Sequence, residues 1–251
     1  KDHYFGRTLD LEYAYQETVT VTPRNFPFHF RNGKTLSSHG AIIGMATVMD
    51  GYPLYYEAAN EWGLAVAGLN FPDNAHYFPE DPEKINIAPF ELIPWLLGQC
   101  KNLSEVRLCL SEINLWKENF ADQLPLSPLH WMISDKDASI TVECVKSGFN
   151  IYENPIGVLT NNPCFDYHMT HLTEFINLTC FTPENRFGQV ELRPYCKGMG
   201  AIGLPGDLSS ASRFVRAAYV KLNSVSGDRK RQPVFPYSRF CGTAERLCTS
   251  G

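Results

Sequence analysis

Polar and apolar positions change rhythm along the chain, and each change predicts a different element. From Val19 to Phe71 the rhythm is that of strands. VTVTP at Val19–Pro23 alternates, GAIIGMATVMDG at Gly40–Gly51 reads as a buried run, and YPLYYEAANEWGLAVAGLNF at Tyr52–Phe71 breaks into two arms at Asn60–Gly63. Gly63 takes a positive φ at little cost, so the break predicts a hairpin turn. Ahead of these, KDHYFGRTLD sets Tyr4 and Phe5 in what reads as a first buried strand. Arg7 and Asp10 follow it. At that separation they fall on opposite faces of a strand, so a common target requires a strand end or bulge after Thr8.

The middle of the chain shifts to a helical period. APFELIPWLLGQC (Ala88–Cys100) and LSEVRLCLSEINLW (Leu103–Trp116) predict two helices, the second capped by Ser104. Strands return in LHWMISD, SITVECV, FNIYEN and IGVLTN between Leu129 and Asn161. PCFDYHMTHLTEFIN then opens a helix at Pro163. GLPGDLSSASRFVRAAYVKL predicts a last helix, capped by Asp207 or Ser209, with Phe214, Val215, Ala218, Tyr219 and Leu222 on its apolar face. Strands, helices, strands and helices in that order predict an α+β arrangement of two sheets between helical layers, with the strand order left open.

At 251 residues the chain makes one large domain or two small ones. A net charge of −5 argues against nucleic acid or an anionic membrane surface as partner. No stretch approaches the roughly 18 uninterrupted apolar residues of a membrane span, and the first residues do not have the shape of a secretory signal. The eight cysteines form no CxxC pair, so a zinc or redox motif has little support, and neither metal nor cofactor is expected. Reduced thiols and a cytoplasmic location are expected.

Four short stretches hold candidate chemistry, and each has an ordinary reading when taken singly. The Arg7–Asp10 pair of GRTLD resembles a solvated surface pair, contributing under ~1 kcal/mol. Asn70 in GLNFPDN starts a turn; Asn161 and Asn162 in GVLTNNPCFDYH suit cap and turn chemistry; Arg213 in GLPGDLSSASRF suits a helix surface.

Taken together and in order, GRTLD, NEWGLAVAGLNFP, LHWMISD, IGVLTNNPCFDYH and GLPGDLSSASRF resemble the choloylglycine hydrolase family, which comprises bile salt hydrolases and penicillin V acylases. The resemblance runs from about Lys1 to about Ser226. It implies an αββα four-layer sandwich of the N-terminal-nucleophile hydrolase type, incomplete at both ends, over residues 1–227. It also implies an N-terminal cysteine nucleophile whose own α-amine moves the proton, with no cofactor. Asp10 is then expected to hold the amine and thiol, and Arg7 to stabilise the thiolate. Asn70 and Asn161 match the oxyanion positions, and Arg213 the remaining active-site arginine. An Asn at position 70 leans towards glycine- or taurine-conjugated bile acids as substrate. Phe71, Tyr77, Phe78, Leu126 and Leu129 are candidates for an apolar steroid slot, with plain core and loop roles weighed equally. The alternatives are a penicillin V or acyl-homoserine-lactone acylase, and a non-catalytic sterol-binding pseudoenzyme. Family members often form homotetramers.

The sequence departs from that pattern at both ends. It begins at Lys1 with no leading cysteine, and none of the eight internal cysteines has a free α-amine, so no bile salt turnover is expected from a polypeptide starting there. Residues 228–251, including Arg229-Lys230-Arg231, read as an atypical, frameshifted or truncated tail. Loss of the closing strands is expected to leave sheet edges unpaired and stability poor.

Overall fold

The computed structural model describes residues 3–10 and 13–224; the atypical tail lies outside the described residues. The chain divides into two compact units, Lys1–Cys164 and Phe165–Gly251.

In the first unit the alternating segments become β1 (Thr18–Thr22), β2 (Phe28–His29), β3 (Thr35–Leu36), β4 (Ile42–Met49), β5 (Tyr52–Asn60), β6 (Ala65–Asn70) and β7 (Ile85–Ile87). Helices α1 (Leu92–Gln99) and α2 (Leu103–Glu112) follow, and then β8 (Ile113–Leu115), β9 (Leu129–Ser134), β10 (Ser139–Val145) and β11 (Gly148–Glu153). Seven strands make one antiparallel sheet in the order β1-β4-β5-β6-β9-β10-β11, while β2 pairs with β3 and β7 with β8. The class is α+β, and one of the two large sheets expected is among the described residues.

One sheet face carries Ile42, Ala46, Ala58, Val66, Trp131, Ile133, Ile140 and Val142, all buried. Leu92, Ile93, Leu96 and Leu97 of α1 close over this face, joined by Val106 and Leu110 of α2. Each such side chain contributes about 1.5–3 kcal/mol on leaving water. Helix α1 is buried all round, which explains why LIPWLLG has no polar stripe.

The predicted hairpin turn between β5 and β6 is present, with Gly63 at φ 86°. Asn60 holds it to the core. Its Oδ1 accepts from Trp62 N at 3.2 Å and Leu64 N at 3.1 Å, and its Nδ2 donates to the carbonyls of Leu97 and Cys100 at 3.0 and 2.8 Å. Asn60→Ala strips four backbone groups of their partner, three of them buried. The expected loss is about 3 kcal/mol or more, read as a lower urea midpoint.

Several expected elements differ. The Gly40–Gly51 run is half buried: β4 lies beside the edge strand β1, and Ile43 on its outer face and Val48 near its end are 52% and 51% exposed. The opening residues 3–10 form no strand. Their burial does alternate, with His3, Phe5, Arg7 and Leu9 partly covered and Tyr4, Gly6, Thr8 and Asp10 exposed. The segment is thus extended without a ladder. Helix α2 stops at Glu112 because Ile113–Leu115 pairs with β7. Its cap is Asn102, not Ser104: Asn102 Oδ1 accepts from Glu105 N at 3.1 Å, and Glu105 Oε2 accepts from Lys101 N at 2.7 Å. IGVLTN is not a strand either. Buried Asn154 replaces the ladder there, accepting from Gly157 N at 2.7 Å and donating to Val158 O at 2.9 Å.

The second unit contains α3 (Phe165–Leu172) and α4 (Ser210–Asn223). Pro163 precedes α3 by two positions instead of opening it. Phe214 of α4 meets Phe165 edge-on at 6.1 Å and stacks on His168 at 4.9 Å. Leu222, placed on the apolar face by its spacing, is 58% exposed near the helix end. Ser209 caps α4, accepting from Ser212 N at 3.3 Å. Asp207 braces the cap through Ser209 N at 2.8 Å and the Ser212 hydroxyl at 2.6 Å. Those bonds hold its carboxyl well below the usual carboxylate range. A depressed acid contributes stability that is present above its unfolded pKa, about 3.9, and lost as pH falls through the folded value. Acidification is therefore expected to lower the Tm of the unmodified chain more than that of Asp207→Asn.

Candidate active site

The site begins at an irregularity in the sheet. Met45 pairs with Glu57 but Ala46 pairs with Tyr55, so Tyr56 is an extra residue in β5. The β5–β6 ladder ends at Glu57–Ala67, leaving the Tyr56 and Gly68 carbonyls beyond it. Arg7 Nη1 fills that gap, donating to Gly68 O at 2.7 Å and Tyr56 O at 3.4 Å. Glu57 Oε2 lies 3.5 Å from the same nitrogen, a weaker contact. Burial lowers the Arg7 pKa, with Glu57 and Asp10 opposing. Burial raises that of Glu57, with Arg7 opposing. Desolvation thus outweighs attraction for both partners, as expected of a covered ion pair. Arg7 is anchored chiefly by carbonyls. Asp10 is exposed and acts on Arg7 as a nearby charge; residues 3–10 form no strand, so the strand end or bulge expected after Thr8 has no ladder to interrupt.

Two residues past Gly68, β6 ends at Asn70, which is exposed. Phe71 turns inward, its N–H donating to Pro128 O at 2.8 Å and its ring stacked on His130 at 4.2 Å. His130 faces Glu143 across β9 and β10, both at 0% exposure, with Nδ1 3.1 Å from Oε1. Its Nε2 lies 2.8 Å from Thr160 O and, because a carbonyl only accepts, carries the proton of that bond. Holding Thr160 there brings the next residue across: Asn161 Nδ2 donates to Asn70 O at 2.8 Å, and Asn162 Nδ2 to Pro72 O at 2.6 Å. The structure therefore gathers Arg7, Asn70 and Asn161 around the end of β6. Arg213 belongs to the second unit, on α4, where its Nε donates to Leu208 O at 3.1 Å.

Of the apolar candidates, Phe71 and Tyr77 are core residues. The Tyr77 hydroxyl donates to Ser127 O and accepts from Leu129 N, both at 2.8 Å, so it fixes the loop entering β9. Close packing leaves neither ring open to a ligand. Phe78, Leu126 and Leu129 are half-buried. Glu57, His130 and Glu143 were not anticipated. The signal for the last two lies in strand parity: His130 and Glu143 occupy the face of β9 and β10 opposite the apolar one, directly across from each other. Among the described residues no cluster of three or more His, Cys, Asp or Glu side chains is placed to hold a metal ion, and no helix is long and apolar enough to cross a membrane.

The sequence model for linear amide C–N hydrolases of the choloylglycine hydrolase family matches residues 1–236. The chain is 51% identical over 246 residues to a bile salt hydrolase/transferase of Lactiplantibacillus plantarum, covering 98% of this chain and 76% of that protein. It is 41% identical over 233 residues to a conjugated bile acid hydrolase of Lactobacillus gasseri, covering 90% and 73%. A solved variant of the conjugated bile acid hydrolase from Clostridium perfringens superposes with a TM-score of 0.78 at 38% identity, covering 85% of this chain and 66% of that one. A penicillin V acylase from Agrobacterium tumefaciens shares the fold, with a TM-score of 0.67 at 18% identity over 86% of this chain and 60% of that one. The chain thus spans about three quarters of the curated relatives and less than two thirds or about two thirds of the solved ones.

Proposed function

The chain belongs to the choloylglycine hydrolase family of linear amide C–N hydrolases, and from that premise we propose that the protein cleaves the amide bond between a bile acid and its glycine or taurine. The nucleophile is the thiol of an N-terminal cysteine, which this sequence, beginning at Lys1, does not include. That thiol attacks the amide carbonyl carbon while the α-amine of the same residue, with a pKa of about 7.7–8.0, accepts its proton. The carbonyl oxygen gains negative charge, and N–H donors at Asn70 and Asn161 meet it. The C–N bond breaks, the amine returns the proton to the departing glycine or taurine, and water cleaves the thioester. Arg7 favours the thiolate, Asp10 orients the amine, and Arg213 orients the nucleophile network or the substrate. Phe78, Leu126 and Leu129 line the steroid slot, held from beneath by Phe71 and Tyr77.

The observation that supports this reading is the Asn161–Asn70 bond at the strand end whose Gly68 carbonyl anchors Arg7. The test joins a short segment that begins with cysteine ahead of Lys1. Release of glycine and taurine from conjugated bile acids is then compared with cleavage of penicillin V. Faster release from the bile acids is expected; penicillin V cleaved faster indicates the acylase. Binding of conjugated bile acid without turnover indicates the pseudoenzyme. The same reading places the protein in the cytoplasm as a homotetramer, which sedimentation checks.

A further inference from the structure

Two cysteines outside the site share a cavity. Cys100 ends α1 and Cys109 lies on α2, and both line a space of about 470 Å³ with Trp95 and Lys34. Trp95 Nε1 donates to Cys109 Sγ at 3.2 Å, and the two thiols, on the wall of the same space, are near enough to shift each other's acidity. An indole N–H is donor only, so this bond favours sulfur that carries negative charge. We propose that Cys100 and Cys109 are a redox-active dithiol, a modification site that a peroxide closes to an intramolecular disulfide.

The surroundings divide the roles. Hydrogen bonds from Cys100 and Trp95 lower the Cys109 thiol, against burial and the charge of Glu112. The thiol of Cys100 is pushed up by its contact with Cys109, by burial and by Glu105. Cys109 is also the more accessible of the two. Cys109 is therefore the attacking sulfur and Cys100 the resolving one. The Cys109 thiolate attacks hydrogen peroxide: an S–O bond forms, the O–O bond breaks and hydroxide leaves. Cys100 sulfur then attacks the Cys109 sulfenic acid: the S–S bond forms, the S–O bond breaks, and hydroxide leaves with the Cys100 proton as water. Two thiols lose two electrons in all, and one peroxide becomes two waters. Cys144 contrasts with this pair: burial alone pushes its thiol up to about 12, so it has no comparable thiolate character.

The test needs no substrate. The chain is treated with hydrogen peroxide at near-stoichiometric amounts, alkylated and mapped by mass spectrometry. The expected product has lost two hydrogen atoms, links the peptides holding Cys100 and Cys109, and reverts with dithiothreitol. Cys100→Ser is expected to accumulate a sulfenic acid at Cys109 that dimedone traps, while Cys109→Ser leaves Cys100 unmodified. Circular dichroism of each variant confirms that it is folded before it is scored. Recovery of both cysteines as alkylated thiols while Cys180 or Cys196 oxidises overturns the proposal. So does a disulfide joining either to another partner.

Discussion

Asn161→Ala in the cysteine-led protein lowers kcat for a conjugated bile acid by about 10²–10³-fold, the usual effect of losing one oxyanion donor. Stability changes far less. Asn161 is only partly buried, and its bond to the Asn70 carbonyl is a single neutral one, worth about 0.5–1.5 kcal/mol. A large fall in kcat beside a small fall in Tm separates a donor to the transition state from a mere strap across the loop. Asn161→Asp sharpens the contrast. Its carboxylate keeps the shape, cannot donate, and places negative charge where the oxyanion forms, so its kcat is expected to fall below that of Asn161→Ala. A Tm loss that accounts for all lost activity, or equal kcat for the two variants, would contradict the assignment.

Arg7→Met is expected to damage both stability and activity. Removing the guanidinium leaves the Gly68 and Tyr56 carbonyls without their donor and Glu57 covered without its cation. The loss is on the order of 2 kcal/mol, reduced from the cost of a fully buried pair because both side chains keep some exposure. Its pH dependence has a definite sign. Glu57 is raised by burial, and losing Arg7 removes the opposing influence and raises it further. An acid raised on folding contributes stability that is present below its unfolded pKa, about 4.3, and lost as pH rises through the folded value. Arg7→Met should therefore be more destabilised at pH 8 than at pH 5, and adding Glu57→Gln should remove most of that difference. Denaturation of the single and double variants at both pH values checks this. A pH-independent loss would show that Glu57 is not what the guanidinium offsets.

Local periodicity made much of the fold legible. The Asn60–Gly63 turn, the buried helix LIPWLLGQ and the paired strands LHWMIS and SITVECV follow from short-range pattern alone. The misses share a cause in partners distant along the chain. GAIIGMATVMDG looks uniformly buried until its neighbour proves to be an edge strand. INL after α2 looks helical until β7 offers it a parallel ladder. IGVLTN alternates as a strand does, yet Asn154 takes its hydrogen bonds. Arg7, Asn70 and Asn161 were legible as candidates, and the structure brings them to the end of β6. What fixes them was not legible: the Tyr56 bulge depends on register between two strands, and the His130–Glu143 pair depends on which strands become neighbours.

The central claim is that Arg7 and Asn161, so far apart in sequence, act on one transition state. A double-mutant cycle in kcat/KM for glycine-conjugated bile acid, using Arg7→Met, Asn161→Ala and the combination in the cysteine-led protein, tests it most directly. Groups that act as a unit give non-additive losses. The account predicts a combined fold-loss well below the product of the two single losses, whereas a combined loss equal to that product would contradict it.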